Sequence, residues 1–259
     1  MSFRLTARAS SNILRTINRN AALRSSIPSI ASRSATRSIA PRLFSTSSIR
    51  QNDAKESLRA ALESEIQHEN EADNSLPEEL SEFFNKTGFQ IAKTEGQSLG
   101  KLVKETEEET LNLYFDVNQA VNIRAIEENF EEDDLDKQPD EFFLNVNLVV
   151  VKKADNSAIS FDLVYRTYDA AVVAEGVTHY QNASDALSEK AEDEQKREIS
   201  YHGPAIANLD EQLVIALDNY LAALGIDDEL LHQIINYGIF KENEEYLRWL
   251  NNLENFLKK

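Results

Sequence analysis

Between Phe89 and Tyr180 apolar residues recur at every second position, and that period leaves few folds open. "LNLYFDV" alternates Leu111, Leu113, Phe115 and Val117 with polar or mixed neighbours. "FFLNVNLVVV" sets Phe142, Leu144, Val146, Leu148 and Val150 against Asn145 and Asn147. "AISFDLVYRT" sets Ile159, Phe161, Leu163 and Tyr165 against Ser160, Asp162 and Arg166, and "AAVVAEGVTHY" reads as a further strand. A period of two sends alternate side chains to opposite faces of a sheet. With turns or loops between these runs and no helix intervening, they build an antiparallel meander covered on one face. The asparagines opposite the apolar row leave the other face wet. About six strands can be counted in this way.

Two segments break the pattern. Residues 127–141, "EENFEEDDLDKQPDE", hold nine acids in fifteen positions: Glu127, Glu128, Glu131, Glu132, Asp133, Asp134, Asp136, Asp140 and Glu141. Such a charge run reads as a solvated, mobile loop between strands. "NASDALSEKAEDEQKRE", 182–198, reads as a polar linker from sheet to helix.

On both sides of the sheet the period returns to that of a helix. Leu58, Leu62 and Ile66 lie at four-residue steps in "AKESLRAALESEIQHE", an amphipathic helix of about four turns. In "NSLPEELSEFFNKTG" Ser75 can cap a helix, Pro77 sits near its start, Gly88 ends it, and Leu80, Phe83 and Phe84 face the core. Leu209, Leu213, Leu217, Leu221 and Leu224 form a stripe with Tyr220 beside it, closed by Gly225. Asp227 caps the next helix, and Ile226 is placed to staple onto Leu231. Tyr246, Leu250, Leu253 and Leu257 then follow at spacings of 4, 3 and 4, a seam too short for an independent coiled coil.

Charge divides the chain. The net charge is −18, yet residues 1–50 contain nine arginines, no lysine and no acid. Taking those nine from 27 basic residues leaves 18 against 45 acids, so residues 51–259 carry −27. Sixteen of the first fifty residues are Ser or Thr, and "SNILRTINRNAALR" forms an amphipathic basic helix. These are the marks of a mitochondrial presequence. "RLFSTSSIRQ" has the form of a two-step processing site: a first cut before Phe44, then loss of eight residues, giving a mature start at Asn52. Residues 1–51 are thus expected to be removed and 52–259 to form a single acidic domain in the matrix. No apolar run of about 18 residues is present, so no membrane span is expected. The sequons at Asn85 and Asn182 are expected to stay bare. The acidic body favours basic proteins as partners and disfavours direct phosphate-backbone binding.

Three stretches imitate chemistry. "YHGPAIANLDEQL" brings His202 close to Asp210 and Glu211, but each polar residue has a task at a helix entrance: Pro204 forbids an earlier helix, Asn208 caps with Glu211 three residues on, and Asp210 sits in the first turn. "GQSLG", 96–100, matches the nucleophile elbow around Ser98, a motif that needs a strand before it and a helix after it. The residues after Gly100, "KLVKETEEETLNLYF", read as strand, so a hairpin turn around Gly96 is expected. Asp134 and Asp136 alternate as in a calcium loop but lack its glycine. His68, His179, His202 and His232 show no zinc spacing, and the chain has no cysteine. No catalytic residue, metal or cofactor is expected.

Residues 201–257 closely resemble the carboxy-terminal signature of the mitochondrial glycoprotein family of acidic matrix proteins, the family that includes the receptor for the globular heads of complement. The matching pieces are Tyr201-x-Gly203-Pro204, Leu209-Asp210-Glu211, Tyr220-Leu221, Gly225-Ile226, Lys241-Glu-x-x-Glu245-Tyr246 and Trp249-Leu250. The order of segments extends the likeness over about 53–259. The resemblance implies an α+β fold: a twisted antiparallel sheet of about seven strands flanked by one amino-terminal and two carboxy-terminal helices, in a ring-shaped homotrimer. The strand beyond the six counted is assigned to "AVNIRA", 120–125. Tyr201, Gly203, Pro204, Leu209, Asp210, Glu211, Tyr220, Tyr246, Trp249 and Leu250 would serve helix entrance and trimer packing. The acidic loop would bind partners such as ribosomal proteins or nascent chains. The implied role is non-enzymatic: chaperone-like binding of basic proteins in support of mitochondrial translation and ribosome assembly. The alternative is a dedicated regulator of translation that contacts the ribosome or its messenger RNA.

Overall fold

The computed structural model describes residues 51–71, 74–129, 143–167, 169–188 and 190–258. They fall into two units, one spanning Asp73–Trp249 and the other joining the first helix to Leu250–Lys259. The larger unit is built on a six-stranded sheet: β1 (Phe89–Ile91), β2 (Leu99–Glu105), β3 (Glu109–Asp116), β4 (Phe143–Lys152), β5 (Ala158–Arg166) and β6 (Ala171–Tyr180). Strand order follows chain order, and every neighbouring pair is antiparallel. The alternation read in the sequence therefore becomes a meander, with six strands among the described residues against the seven implied.

Register turns the alternation into a core. Leu102, Leu113, Leu148, Phe161 and Val177 lie opposite one another across β2 to β6, and Gly100, Phe115, Val146, Leu163 and Ala174 form a second row. Leu80 and Phe84 from α1 (Glu78–Thr87), and Leu230, Leu231, Ile234 and Ile235 from the long carboxy-terminal helix, bury themselves against this face. Each such side chain contributes about 1.5–3 kcal/mol on leaving water. Gly100 is required by this packing. The Phe115 ring lies across it, with Cζ 2.0 Å from where a Cβ would stand.

The connection from β3 to β4 departs from expectation, because α2 (Val117–Asn129) opens it. "AVNIRA" is therefore helix, not a further strand. Val117, Ala120 and Ile123 are buried at three-residue steps, the spacing of one helix face, whereas Val121 and Ile123 alternate as a strand would. Asp116 starts the helix by accepting from the Asn118 amide at 2.9 Å, and Gln119 Oε1 accepts the Asn145 amide at 2.9 Å where β3 has turned away from β4.

The second sheet face is also covered in part. Tyr114, Val149, Ala158 and Tyr180 pack with Ala183 and Ala186 in a smaller apolar cluster. The segment read as a linker folds as α3 (Ala183–Leu187) and α4 (Ala191–Ile199). Arg197 of α4 is 1% exposed. Its Nη1 donates to the carbonyls of Asp185 and Ser188 at 3.1 and 2.8 Å, at the carboxy-terminal end of α3, where a cation is favourable. Asn147, expected in water, is 2% exposed. Its amide donates to Ser160 Oγ, the Phe161 carbonyl and Asp162 Oδ1. These acceptors satisfy its amide nitrogen, while its Oδ1 is buried with no hydrogen-bond partner among the described residues.

After a single 3-10 turn, Ile206–Asn208, come α5 (Glu211–Leu224) and α6 (Asp228–Lys258). Gly88 and Gly225 close α1 and α5 in the left-handed conformation, at φ 80° and 84°. Asp227 caps α6 by accepting the Leu230 amide at 2.8 Å, and Ile226 and Leu231 are both buried in the core. Two expected caps shift. Asp210, not Asn208, caps α5 by accepting from the Gln212 amide at 3.0 Å, because Asn208 is taken up in the 3-10 turn. Pro77, not Ser75, holds the cap position of α1, without a side-chain bond.

In the smaller unit the amino-terminal helix, Gln51–Glu71, buries Leu62 and leaves Leu58 half exposed. Leu250 is buried, and Glu254 pairs with Lys258 at 2.7 Å.

Candidate functional site

The histidine of "YHGP" packs against β6. His202 is half-buried, with Nδ1 3.2 Å from Thr178 Oγ1 of β6. Gly203 has φ 75°, and a Cβ there would stand 2.8 Å from the Val177 carbonyl oxygen, so only glycine lets the chain pass this close to β6. Pro204 is exposed, Leu209 half-buried, and Asp210 and Glu211 lie at the start of α5. Tyr201 is 81% exposed.

"GQSLG" sits in the connection from β1 to β2. Gly96 turns with φ 73°, and Ser98 is exposed and passes straight into β2, so no helix follows it. The Ser98 carbonyl accepts the Val117 amide at 2.9 Å. The turn expected around Gly96 is present, and the two glycines answer to backbone conformation and to the Phe115 ring. The described residues contain no cluster of His, Asp and Glu able to hold a metal ion.

Of the acidic segment, Glu127 and Glu128 belong to the last turn of α2, so they are helical and not part of a loop. Glu131, Glu132, Asp133, Asp134, Asp136, Asp140 and Glu141 lie outside the described residues.

The described surface is nonetheless asymmetric in charge. Some of its cations make contacts within the fold, while others, among them Lys86, Lys93 and Lys196, stay exposed. Lys104 Nζ donates to the Leu224 carbonyl at the end of α5 at 2.9 Å. Lys153 binds Glu105 and the Thr106 carbonyl. Lys241, buried, binds Glu245 and the Thr94 carbonyl. Carboxylates on several elements stay exposed, among them Glu78, Glu107, Glu108, Glu211, Asp218 and Glu229. With 45 acids against 27 basic residues in the chain, the excess of charge is negative.

A second feature was legible only as a stripe. From Leu213 to Leu217 α5 is apolar on every side, yet Leu221 is its only fully buried residue. Leu213 and Ile215, on opposite sides of the helix, are 47% and 52% exposed. Its carboxy-terminal half is fastened by Lys104, by Leu221, and by Tyr220, whose hydroxyl donates to Glu109 Oε1 at 3.1 Å. On α6 the rings of Tyr246 and Trp249 stack at 6.0 Å, and Trp249 is 54% exposed. A helix that is hydrophobic all round is ordinarily covered.

With this geometry in hand, the chain can be set beside known proteins. Residues 62–257 match the MAM33 family, described as mitochondrial glycoprotein. The mitochondrial acidic protein mam33 of Schizosaccharomyces pombe is 28% identical over 235 residues, covering 83% of this chain and 85% of that protein. A hypothetical protein from Leishmania major, described as a sequence homologue of human p32, superposes with a TM-score of 0.58 at 21% identity, over 79% of this chain and 99% of its own. The p22 protein of Trypanosoma brucei gives 0.57 at 21% identity, over 79% and 98%. These two solved structures share the fold.

Proposed function

This chain belongs to the mitochondrial glycoprotein family of mitochondrial acidic proteins, and on that premise we propose a non-enzymatic binding protein of the mitochondrial matrix. It acts as a homotrimer that holds basic proteins, such as ribosomal proteins or nascent chains, in support of mitochondrial translation and ribosome assembly. The observation that carries this reading is the charge arrangement: −27 over residues 51–259, with carboxylates exposed on several elements and cations such as Lys104 and Lys241 bound within the fold. The exposed apolar start of α5 supports assembly between copies. The arginine-only segment 1–50 supports import and a mature start at Asn52. No cofactor is invoked, and nucleic acid is contacted only indirectly or weakly.

A pull-down from matrix at low and high salt tests the proposal. The screening length is about 8 Å at physiological ionic strength, so close carboxylate contacts dominate and added salt weakens them. Broad recovery of basic proteins, lost at high salt, is expected. One stoichiometric, salt-stable partner instead marks a dedicated regulator of translation. Calorimetry then locates the surface. Replacing Glu131, Glu132, Asp133 and Asp134 with Ser should lower client affinity with the assembly and its melting temperature unchanged. Unchanged affinity moves binding to carboxylates on the helices.

A further inference from the structure

The strap from Ala92 to Ser98, between β1 and β2, is held by α6 through one carboxylate. Glu245 Oε2 accepts the Gly96 amide at 2.8 Å, and its Oε1 accepts from Lys241 Nζ at 2.9 Å. Lys241, 3% exposed, also donates to the Thr94 carbonyl at 2.9 Å. Thr94 is buried and its hydroxyl donates to the Leu99 carbonyl at 2.6 Å, which folds the strap back on the start of β2. Arg248 adds an outer arm, with Nε 3.2 Å from Glu245 and Nη1 3.3 Å from Glu95 of the strap. The strap's own backbone closure is slight: the Ala92 amide to the Lys101 carbonyl at 3.0 Å, and the Gln97 amide to the Thr94 carbonyl at 3.3 Å. β1 is anchored separately, by buried Phe89 beneath Lys104.

We propose that the strap is a separately opening element, latched to α6 by Glu245 and released when that carboxylate is neutralised. Neutralisation weakens the acceptor for Gly96. It also leaves the Lys241 ammonium buried beside an uncharged partner, an arrangement that favours opening to water. The charged and titratable groups facing Glu245 are Lys241, Arg248, Glu244 and Tyr237 on α6 and Glu95 on the strap. Burial pushes the Glu245 carboxyl up. The bonds from Lys241 and Gly96 and the charges of Lys241 and Arg248 outweigh it and hold the group below the usual range. A depressed carboxylate stabilises above its unfolded value and loses that contribution as pH falls through the folded one. Release therefore belongs below the ordinary glutamate range in the wild type, and at every pH in a variant lacking the charge.

The test is amide hydrogen exchange of the full chain, read residue by residue. Glu245→Gln should lower protection of the Gly96 amide at neutral pH by about tenfold or more, a charge-assisted bond being at stake. Leu113 and Leu148, in β3 and β4, should keep their protection. In the wild type Gly96 protection should fall as pH drops below the ordinary glutamate range, ahead of those core amides, a measurement that needs no variant. Glu95→Gln removes only the exposed pair and should change Gly96 by less than about fivefold. The proposal is overturned if Gly96 in Glu245→Gln stays within twofold of wild type, if strap and core amides open together, or if Glu95→Gln matches the loss.

Discussion

At the scale of single residues, the pentapeptide Gly96–Gly100 separates a motif from its meaning. Its serine is exposed, and its last glycine lies beneath the Phe115 ring. Gly100→Ala must displace that ring, which also packs edge-on to Tyr237 at 5.9 Å. Overpacking of this kind costs about 1–3 kcal/mol. Ser98→Ala should stay within roughly 0.5 kcal/mol. Urea unfolding of the two variants side by side checks both numbers, and a hydrolytic activity lost only in Ser98→Ala would contradict the non-enzyme reading. Tyrosines set the alkaline limit. Burial first, then the hydrogen bond and charge of Glu109, push the Tyr220 hydroxyl up to about 12, and burial, then Glu244 and Glu245, do the same for Tyr237. An unfolded tyrosine ionises near 10 while these keep their protons to about 12, so stability should fall as pH rises through that window. Tyr220→Phe should flatten the fall, measured as urea midpoints at pH 9 and pH 11.

Whole elements were legible in proportion to how strongly one face is buried. β3, β4 and β5 follow from alternation because one row of each lies in the core. Gly88, Gly225 and Asp227 follow from cap chemistry. α2 was not legible, since Val121 and Ile123 alternate as in a strand, while the buried face runs through Val117, Ala120 and Ile123. α3 and α4 were missed because they bury little apolar surface beyond Ala183 and Ala186, and Arg197, a residue type ordinarily outside, supplies the fastening. The same omission made the second sheet face look wet. A test belongs to this pair of helices. Arg197→Ala removes both bonds to the end of α3 and leaves a void, at a cost of about 1.5–3 kcal/mol. Limited proteolysis should then cut within 183–199 while the sheet remains intact. Equal cutting of wild type and variant would place the fastening elsewhere.

For the whole molecule, the proposed homotrimer would link charge and assembly through α5. Like charges on one chain repel, and three copies brought together repel more, so an acidic trimer needs apolar area to hold it. Leu213 and Ile215 project from opposite sides of α5, so a single neighbouring surface cannot cover both. A ring offers each copy two neighbours, and a two-sided apolar helix suits that arrangement better than a single face would. Covering what each side chain still exposes is worth about 1 kcal/mol, half of a full burial. Repeated for two side chains at three interfaces, that sum is about 6 kcal/mol, comparable with the marginal stability of a domain. Leu213→Asp with Ile215→Asp should therefore dissociate the assembly while the sheet keeps its fold, because neither residue lies in the core. Sedimentation equilibrium should give about three times the chain mass for the wild type and the single-chain mass for the variant, with unchanged far-ultraviolet dichroism. Added salt sharpens the reading. Screening weakens repulsion between copies, so the wild-type assembly should hold or tighten as salt rises while its hold on basic clients loosens. A wild type that is monomeric at micromolar concentration, or a double variant that assembles unchanged, would assign the exposed face of α5 to something other than a second copy.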